Sequence, residues 1–584
     1  MIRYFSSDKI DRIRERIRKL YGGNNGKDLV ERMDMMVGRY NIGIDPHQPD
    51  HYWDQTDNVL IIYGDMVQDE GERPLQTLKR FLNNYLRDEI DTIHILPFFP
   101  YSSDDGFAVI NYRVVNPDLG KWEDIEALGD HFRLMFDLIV NHVSKESDWF
   151  DDYKSGIAPA RDYFIEVDPD TDLSTVTRPR NTPLLLSVNT RDGEKHIWTT
   201  FSQDQIDLNF KNPDVLFEFL DILFWYISKG ARIIRLDAIA YLWKEIGTSC
   251  IHLSNTHEII KLLRDIVSTL APHVLLLTET NVPHEENMGY FGDGDEAHMV
   301  YQFSLPPLLL HALHSENTQY LTQWTQSLPE LDPGMTFLNF TASHDGIGIR
   351  PLQGLVPHEE LDDLIERVKK RGGQVSTKKN ADGSESPYEL NITYYDALAD
   401  PDIDDDDMDV ARFLCSQIIA LVLKGIPAIY FHSITGTRNN YEGVKETGRA
   451  RTINRGKWKE DELIDVLSDM ENHHGKVFYE YRRLLQIRRR YPAFHPNGAQ
   501  MIYNLDNRVF ALKRTSPNEK ENVISITNFT DQDIEVEVGG HIPELNGSSE
   551  WKDLIRGNTF TGGEEDLKLE PYQSVWLHRK EQGL

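Results

Sequence analysis

Eight short apolar runs recur along this chain, and a helical stretch or a long loop separates each run from the next. The runs are rich in β-branched residues, which favours strands. Eight strands that alternate with helices are the number that closes a parallel (β/α)8 TIM barrel, although an open doubly wound sheet would give similar runs. The runs are VLIIYGDMV (59–67), TIHILPFFP (92–100), FRLMFDLIVNH (132–142), ARIIRLDAI (231–239), HVLLLTET (273–280), MVYQFSLP (299–306), MTFLNFTASHD (335–345) and IPAIYFHS (426–433).

Polar residues gather at the ends of these runs. Those at run ends are Asp137, Asn141, His142, Arg235, Asp237, Glu279, His344 and Asp345. In a TIM barrel the carboxyl ends of all strands share one face, and that face carries the active site. We therefore predict an α/β fold, a (β/α)8 TIM barrel, in which these distant residues converge.

The lengths of the remaining segments predict the domain organisation. Two intervals, 143–210 after the third strand and 346–395 after the seventh, are too long for simple connections and should form excursions over the barrel mouth. Short alternating strands after about residue 495 predict a C-terminal all-β domain. The predicted units are an N-terminal helical extension (1–55), the barrel (56–142, 211–345 and 396–494), the two insertions (143–210 and 346–395) and the β-domain (495–584).

The stretch RIIRLDAIA (232–240) has a charged pair inside an apolar strand. Arg235 and Asp237 are two residues apart, so they point to the same side of the strand. A buried structural salt bridge would explain the pair, and so would an active site. Glu279 ends the next strand, and two carboxyl groups about 5 Å apart are the arrangement of a retaining glycosidase. We expect Arg235 to lower the pKa of Asp237 and keep it ionised, while Glu279 holds a proton.

Composition limits the possible partners. The chain has 62 basic and 95 acidic residues, which argues against nucleic acid or an anionic membrane as a partner and suggests a salt-exposed habitat. Two cysteines, Cys250 and Cys415, are too few for a disulfide framework, and the N-terminus lacks the apolar core of a signal peptide, so we expect a cytoplasmic protein.

Three further segments are predicted to be structural. Ile10, Ile13, Ile17 and Leu20 fall at helical spacing and predict an amphipathic helix that packs on the protein. The most apolar stretch (413–431) is interrupted by polar residues, glycine and proline, so it predicts a buried helix, a turn and a strand rather than a membrane span. The acidic run DPDIDDDDMDV (400–410) lacks the pattern of a calcium loop and predicts a solvated helix start.

The strings DLIVNH (137–142), RIIRLDAIA, LLTET (276–280) and ASHD (342–345) resemble, in this order, the signatures of the α-amylase superfamily of retaining α-glucosidic enzymes. The resemblance implies that Asp237 is the nucleophile, Glu279 the general acid/base and Asp345 the carboxylate that grips the glucosyl hydroxyls. It also implies sugar contacts from His142, His344, Arg455 and Asp104, with Phe107 and Phe201 as an apolar wall beside the pyranose ring.

Longer strings resemble the sucrose phosphorylase subfamily. They are KEIGTSC (244–250), FSLPPLLLHAL (303–313), HDGIGIRPLQGLVP (344–357), TYYDAL (393–398) and INR (453–455). Enzymes of this subfamily cleave an α-glucoside with inorganic phosphate and release α-glucose 1-phosphate with retention. A phosphate dianion needs positive charge beside the carboxylates. RPR (178–180) resembles the subfamily's arginine loop, which makes Arg180 the phosphate candidate; a solvated loop arginine is the alternative interpretation.

The acceptor side looks closer to the phosphorylases of glucosylglycerol and glucosylglycerate. The loop HSITGTRNNYEG (432–443) and about 55 extra N-terminal residues carry this likeness. Glycerate calls for a dedicated cation, and Arg438 in this loop could supply it or close the loop over phosphate. The acidic composition favours glucosylglycerol. Sucrose phosphorylase, a hydrolase or transglucosylase, and a non-catalytic carbohydrate-binding relative remain alternatives.

We expect small-molecule substrates, no cofactor and no metal ion. HEEN (284–287) lacks the second histidine of a zinc motif, and these phosphorylases typically lack calcium near Asn141. The sequence leaves the oligomeric state open.

Overall fold

The computed structural model describes residues 7–22, 26–40, 42, 49, 51–380, 384–402, 405–563 and 566–580. Its centre is a closed barrel of eight parallel strands, which confirms the predicted fold. Each of the eight apolar runs supplies one strand, in the predicted order. The strands are β1 (Val59–Ile62), β2 (Thr92–Ile95), β3 (Arg133–Ile139), β4 (Ala231–Asp237), β5 (Leu275–Thr278), β6 (Met299–Tyr301), β7 (Thr336–Phe340) and β8 (Ile426–Tyr430).

Neighbouring strands in the chain are neighbours in the barrel, and β8 closes it against β1. The register between β3 and β4 pairs Asp137 with Arg235 and Ile139 with Asp237, after a shift at Leu134. Because all strands run in parallel, their carboxyl ends meet at one rim, where the polar run ends converge.

Helices surround the barrel and shield its outer face. Pro213–Ser228 shows how the chain starts one: the side chain of Asn212 accepts a hydrogen bond from the backbone of Asp214, and proline occupies the first turn. The helices with seven or more residues that follow the extension are Pro74–Tyr85, Trp122–Leu128, Asp148–Ser155, Pro213–Ser228, Ser254–Leu270, Leu305–Ser315, Gln319–Ser327, His358–Lys370, Asp406–Val422, Tyr441–Thr447, Glu460–Ser468 and His473–Arg490. Shorter ones are His284–Met288, Tyr394–Leu398 and Phe431–Ile434.

Both long intervals form excursions, after β3 and after β7 as predicted. The first contains a short antiparallel pair, His142–Ser144 with Gln205–Asp207, and a hairpin, Leu185–Thr190 with Gly193–Trp198. The second contains Ile347–Gly348, Gln374–Lys379 and Glu385–Asn391 in one antiparallel sheet. The acidic run ends in the helix Asp406–Val422, which the Asp405 side chain caps; residues 403–404 lie outside the described part.

The C-terminal region is all-β and has a small core of its own. Its main sheet contains Ala499–Tyr503, Val509–Thr515, Glu521–Asn528, Ser574–Lys580, Glu550–Asp553 and Thr559–Thr561, and Ile534–Val536 pairs with Leu567–Leu569. Val67–Gln68 pairs with Trp458–Lys459 beside the barrel.

Two N-terminal helices, Ser7–Tyr21 and Gly26–Tyr40, precede the barrel. The first contacts Ser254–Leu270 and buries Ile10, Ile13, Ile17 and Leu20, which confirms the amphipathic prediction. None of the helices in the described ranges has the length and apolar character that a membrane crossing requires.

Candidate active site

Asp237 and Glu279 come together at the carboxyl ends of β4 and β5. Asp237 is the last residue of β4, and Glu279 directly follows β5. The backbone N–H of Ala238 donates to Oε2 of Glu279 at 3.0 Å. Ala238 has a φ of 51°, a left-handed conformation that is uncommon outside glycine. The turn after Asp237 therefore contacts the Glu279 carboxylate, and both side chains line one cavity.

Arg235 bridges two buried carboxylates. Its Nη1 lies 2.7 Å from Oδ1 of Asp237 and 2.5 Å from Oδ1 of Asp137 on β3. Asp137 also contacts Nε2 of His94 at 2.8 Å. The Arg235 side chain is 4% exposed, so water screens these contacts little. The pair in RIIRLDAIA is thus a buried salt bridge whose Asp237 end lines the cavity.

Arg235 lowers the pKa of Asp237 as expected, but its effect is smaller than that of burial. Burial raises the pKa of Asp237 well above its ordinary value; Arg235 opposes this rise, while Glu279, Asp137 and Asp345 add to it. Burial also raises the pKa of Glu279, as expected. Since adjacent carboxyl groups resist losing both protons, Asp237 and Glu279 titrate as a pair.

Asp345 lies at the end of the segment after β7 and is surrounded by cations. Nη1 of Arg451 lies 2.5 Å from its Oδ1, and Nη2 of Arg455 lies 3.7 Å from the same atom. Burial opposes its ionisation, but Arg451, His344 and Arg455 hold the pKa of Asp345 well below its usual range. Asp345 is therefore the carboxylate of the three that stays ionised.

A tight turn presents Asp104. Asp104 and Asp105 have positive φ angles of 53° and 46°, and Gly106 follows at 114°. A Cβ at position 106 would lie 2.7 Å from the carbonyl oxygen of Pro97, so only glycine fits. Arg455 holds the turn from the other side: its Nη1 pairs with Asp105 and lies 3.7 Å from Asp104.

Aromatic rings close the inner end of the cavity. Phe107 stacks on the His344 ring, with centroids 4.7 Å apart and planes 5° from parallel. His142 contacts the carbonyl oxygen of Phe107 through Nε2 at 3.0 Å, and its ring centroid lies 5.3 Å from that of Phe201. Burial lowers the pKa of His142 and of His344.

The structure brings most of the predicted residues together. The inner cavity, about 70 Å3, is lined by Asp104, Phe107, His142, Arg180, Phe201, Asp237, Glu279, His344 and Asp345, among others. Its mouth opens into a space of about 520 Å3 lined by Asp104, Lys145, Arg180, Phe201, Arg449, Arg451 and Arg455, among others. A cavity of about 910 Å3 in the C-terminal β-domain contains none of the predicted site residues.

Arg180 and Arg438 have different surroundings. The Arg180 guanidinium lies over the ring of Tyr388, 5.9 Å from its centroid, and we find no carboxylate paired with it in the described part of the chain. Arg438 lines neither the inner cavity nor its mouth. Its guanidinium lies 3.3 Å from Asp396 and 3.5 Å from Asp406, and its side chain is 45% exposed. The expectation that Arg438 faces the acceptor or phosphate is therefore not supported by its position.

The residues that line or support the cavity and that sequence reasoning missed include Asn281, Tyr388, Glu389 and Arg451. Arg451 lies four residues before Arg455 in the same segment, which is the only sequence signal for it. Tyr388 and Glu389 belong to the second excursion, where no chemical motif marks them. Asn281 fits only because Gly348 opposite has no side chain: a Cβ there would lie 2.6 Å from the Asn281 amide.

A lysine ammonium lies beside Asn141. Nζ of Lys244 donates to the side-chain oxygen of Asn141 and lies 2.6 Å from Oδ2 of Asp207. Within the described ranges, no cluster of three or more histidine, cysteine or acidic side chains could hold a metal ion. The donor atoms at Asn141 therefore do not fit a metal ion.

The site can support displacement at a sugar carbon. It offers two carboxyl groups at neighbouring strand ends, of which one can attack and the other can carry a proton. Asp345 supplies a fixed negative charge that can stabilise an oxocarbenium-like transition state. Cations at the mouth can attract an anionic substrate.

Comparisons with known proteins match this geometry. The family model described as the alpha amylase catalytic domain matches residues 82–345. A glucosylglycerate phosphorylase of Spirochaeta thermophila is 44% identical over 98% of this chain and 99% of its own. A glucosylglycerol phosphorylase of Marinobacter adhaerens is 30% identical over 74% of this chain and 87% of its own. The solved structure of sucrose 6F-phosphate phosphorylase from Thermoanaerobacter thermosaccharolyticum has a TM-score of 0.72 at 25% identity, and covers 88% of this chain and 98% of that one.

Proposed function

We propose that this chain, which belongs to the alpha-amylase family and is a glucoside phosphorylase, cleaves glucosylglycerate with inorganic phosphate. The products would be α-glucose 1-phosphate and glycerate. The observation that carries the proposal is the likeness over nearly the full length of both chains to a glucosylglycerate phosphorylase, at 44% identity against 30% for a glucosylglycerol phosphorylase. The preference for glucosylglycerol that the acidic composition suggested is not confirmed.

The proposed mechanism is a double displacement. In the first step an oxygen of Asp237 attacks the anomeric carbon, and Glu279 gives its proton to the glycosidic oxygen, so that glycerate leaves and a glucosyl-enzyme ester forms. In the second step a phosphate oxygen attacks the same carbon, the bond to Asp237 breaks, and the proton that this oxygen carried passes to Glu279, which restores the acid. Two inversions give net retention, and the raised pKa of Glu279 supports its role as the acid.

The glucosyl unit would occupy the inner cavity. Asp345 would accept hydrogen bonds from its hydroxyl groups, and Asp104 would accept from those at the far side. Nη2 of Arg455 is buried and has no hydrogen-bond partner in the described part of the chain, so it is available to donate to the sugar. His142 and His344 would add further hydrogen bonds, and Phe107 and Phe201 would form the apolar wall.

Phosphate and glycerate would bind at the mouth, where Arg180 is our candidate for the phosphate contact. Because phosphate replaces glycerate between the two steps, both anions must use the space next to Glu279. Arg180 lines this space and carries no paired carboxylate among the described residues, which supports the assignment. Arg449 and Lys145 line the outer part of the mouth. Their positive charge attracts an acceptor that carries a carboxylate, whereas glycerol has no charge to pair with them.

The proposed location is the cytoplasm. Cys250 and Cys415 are both free and buried, and a chain that uses no disulfide between them suits a reducing compartment. The proposed substrates are small molecules, and the strong negative charge supports neither nucleic acid nor an anionic membrane as a partner.

Synthesis from α-glucose 1-phosphate tests the proposal most directly. We would offer glycerate, glycerol and fructose in parallel and measure phosphate release. Release that depends on glycerate, with at least tenfold lower kcat/KM for glycerol and fructose, is the expected result. Release that depends on glycerol or fructose would replace the proposed acceptor. Release without any acceptor would indicate hydrolysis and contradict the phosphorylase mechanism.

A further inference from the structure

A buried glutamate of the second excursion grips an arginine of the catalytic centre. Glu389 lies in the strand Glu385–Asn391 and is 1% exposed. Nε of Arg451 donates to its Oε2 at 3.1 Å, and Nη2 donates to its Oε1 at 2.8 Å. Two parallel contacts of this kind fix the plane of a guanidinium as well as its position. The orientation of Arg451 is therefore set by Glu389.

The third nitrogen of the same guanidinium reaches Asp345. Nη1 of Arg451 lies 2.5 Å from Oδ1 of Asp345. The contact brings charge close without an aligned hydrogen bond, because Oδ1 has no hydrogen-bond partner in the described residues. An oxygen in this situation is held by the cation and can still accept a hydrogen bond from a sugar hydroxyl.

A second contact ties Glu389 to the backbone beside Asp345. The N–H of Gly346 donates to Oε1 of Glu389 at 3.1 Å. A Cβ at position 346 would lie 2.5 Å from Cγ of Glu389, so this approach requires glycine. Glu389 thus reaches Asp345 by two routes: through the guanidinium of Arg451 and through the peptide that follows Asp345.

The charge balance makes a purely structural role a poor explanation. Asp237, Glu279 and Asp345 already crowd the cavity, and another buried carboxylate beside them adds repulsion. A buried ion pair adds little to stability compared with apolar packing. The burial of Glu389 beside these carboxylates is better explained by the side chain that it orients, Arg451.

We propose that Glu389 is a positioning residue for catalysis: it holds Arg451 so that Asp345 keeps the orientation in which it contacts the glucosyl unit. The inference deepens the proposed function and rests on it, since it takes Asp345 to bind glucose. It also assigns a role to the second excursion, whose strand carries Glu389 into the catalytic centre. Because Asp345 faces the glucosyl unit, Glu389 should affect every glucosyl donor alike.

The test compares two donors in E389Q. Glucosylglycerate needs both Asp345 and the acceptor side of the site, whereas α-glucosyl fluoride needs only the glucosyl side because fluoride leaves without an acceptor pocket. We expect kcat with phosphate to fall at least tenfold for both donors, while the KM for phosphate stays within twofold of the wild-type value. The matched control is E385Q, the same change at an exposed position of the same strand, where Glu385 contacts Thr377; it should keep wild-type rates.

Three results would overturn the inference: wild-type rates in E389Q, a loss confined to glucosylglycerate, or an equal loss in E385Q. A loss confined to glucosylglycerate would move Glu389 to the acceptor side. If E389Q melts near the assay temperature, R451K replaces it, because lysine keeps the charge but cannot grip two oxygens and contact Asp345 together. Asp345→Asn separates the two levels of the argument: wild-type turnover of glucosylglycerate in that variant would remove the glucose-binding role of Asp345, on which the inference rests, and would leave the proposed function in place.

Discussion

Replacing Arg235 with glutamine should shift the pH range in which the enzyme works. Glutamine is polar, shorter than arginine and carries no charge. The change leaves Asp237 and Asp137 without the guanidinium nitrogen that lies 2.7 Å and 2.5 Å from them. Asp137 keeps its contact with His94, whereas Asp237 loses its nearest cation and stays beside other carboxylates. The pKa of Asp237, already raised by burial, should therefore rise further.

The size of the shift follows from the geometry. Two unit charges about 4 Å apart interact by about 4 kcal/mol at an effective dielectric constant of about 20, which corresponds to about three pKa units. Arg235 shares its charge between Asp237 and Asp137, so Asp237 loses a fraction of this interaction energy and its pKa rises. In the proposed mechanism activity requires ionised Asp237. A higher pKa moves the acid limb of the pH profile to higher pH and lowers the rate at neutral pH.

The assay is the pH dependence of kcat/KM for phosphorolysis, whose acid limb reports the ionisation of the free enzyme. The matched control is R232Q in the same strand, because Arg232 lies at the opposite end of β4, where it donates to the carbonyl oxygen of Tyr52 at 3.3 Å. R232Q should leave the acid limb in place. A folded R235Q enzyme whose acid limb coincides with that of the wild type would refute the electrostatic argument.

Four other substitutions test separate parts of the site. Asp237→Asn should lower turnover by at least about 10^4-fold. Because the pKa of this carboxyl group is raised in the folded protein, its ionised form destabilises the fold at pH 7. Calorimetry of the variant should therefore show an unchanged or higher Tm, and a lower Tm would contradict this argument. Arg180→Ala should raise the KM for phosphate more than that for glucoside, whereas Arg438→Ala should change neither more than twofold; initial-rate kinetics that rank the two variants in the opposite order would reverse the assignment. Gly106→Ala should raise the KM for glucosyl donors several-fold and lower stability by about 1 to 3 kcal/mol, because its Cβ would meet Pro97; unchanged kinetics and an unchanged urea midpoint would show that the turn tolerates the methyl group.

The barrel was predictable because its signal is local. Nearly every run is apolar where the strand is buried and polar where it reaches the rim, so the side chains at run ends could be placed without knowing any long-range contact. Asp237 and Glu279 were predictable for the same reason: each ends a strand, and consecutive strands of a parallel barrel are neighbours. No such rule predicts where the side chains of the loop arginines lie. Arg438 was assigned to the site from its loop alone, and its pairing with Asp396 depends on how that loop folds back.

Glu389 and Arg451 were missed because their role follows only from the contact between them. They are 62 residues apart in the chain, and neither ends a barrel strand or belongs to a catalytic string. The pKa of Asp237 escaped prediction for a related reason. Arg235 is two residues away and visible in the sequence, whereas the burial and the carboxylates that outweigh it come from three other strands or strand ends.

The pKa values of the three carboxyl groups in this site are shifted in opposite directions, which suits them to different roles. Asp345 has two arginines and stays ionised, so it can stabilise positive charge on the sugar throughout the reaction. Asp237 and Glu279 share Arg235, and Arg451 also lowers the pKa of Glu279, but burial makes full ionisation of both unfavourable. In the proposed mechanism the productive arrangement has one proton on this pair, carried by Glu279. When Asp237 forms the ester its charge disappears, the repulsion on Glu279 falls, and loss of the Glu279 proton to the leaving acceptor becomes easier. Phosphate can then approach a centre that holds less negative charge than the free enzyme would with both carboxylates ionised.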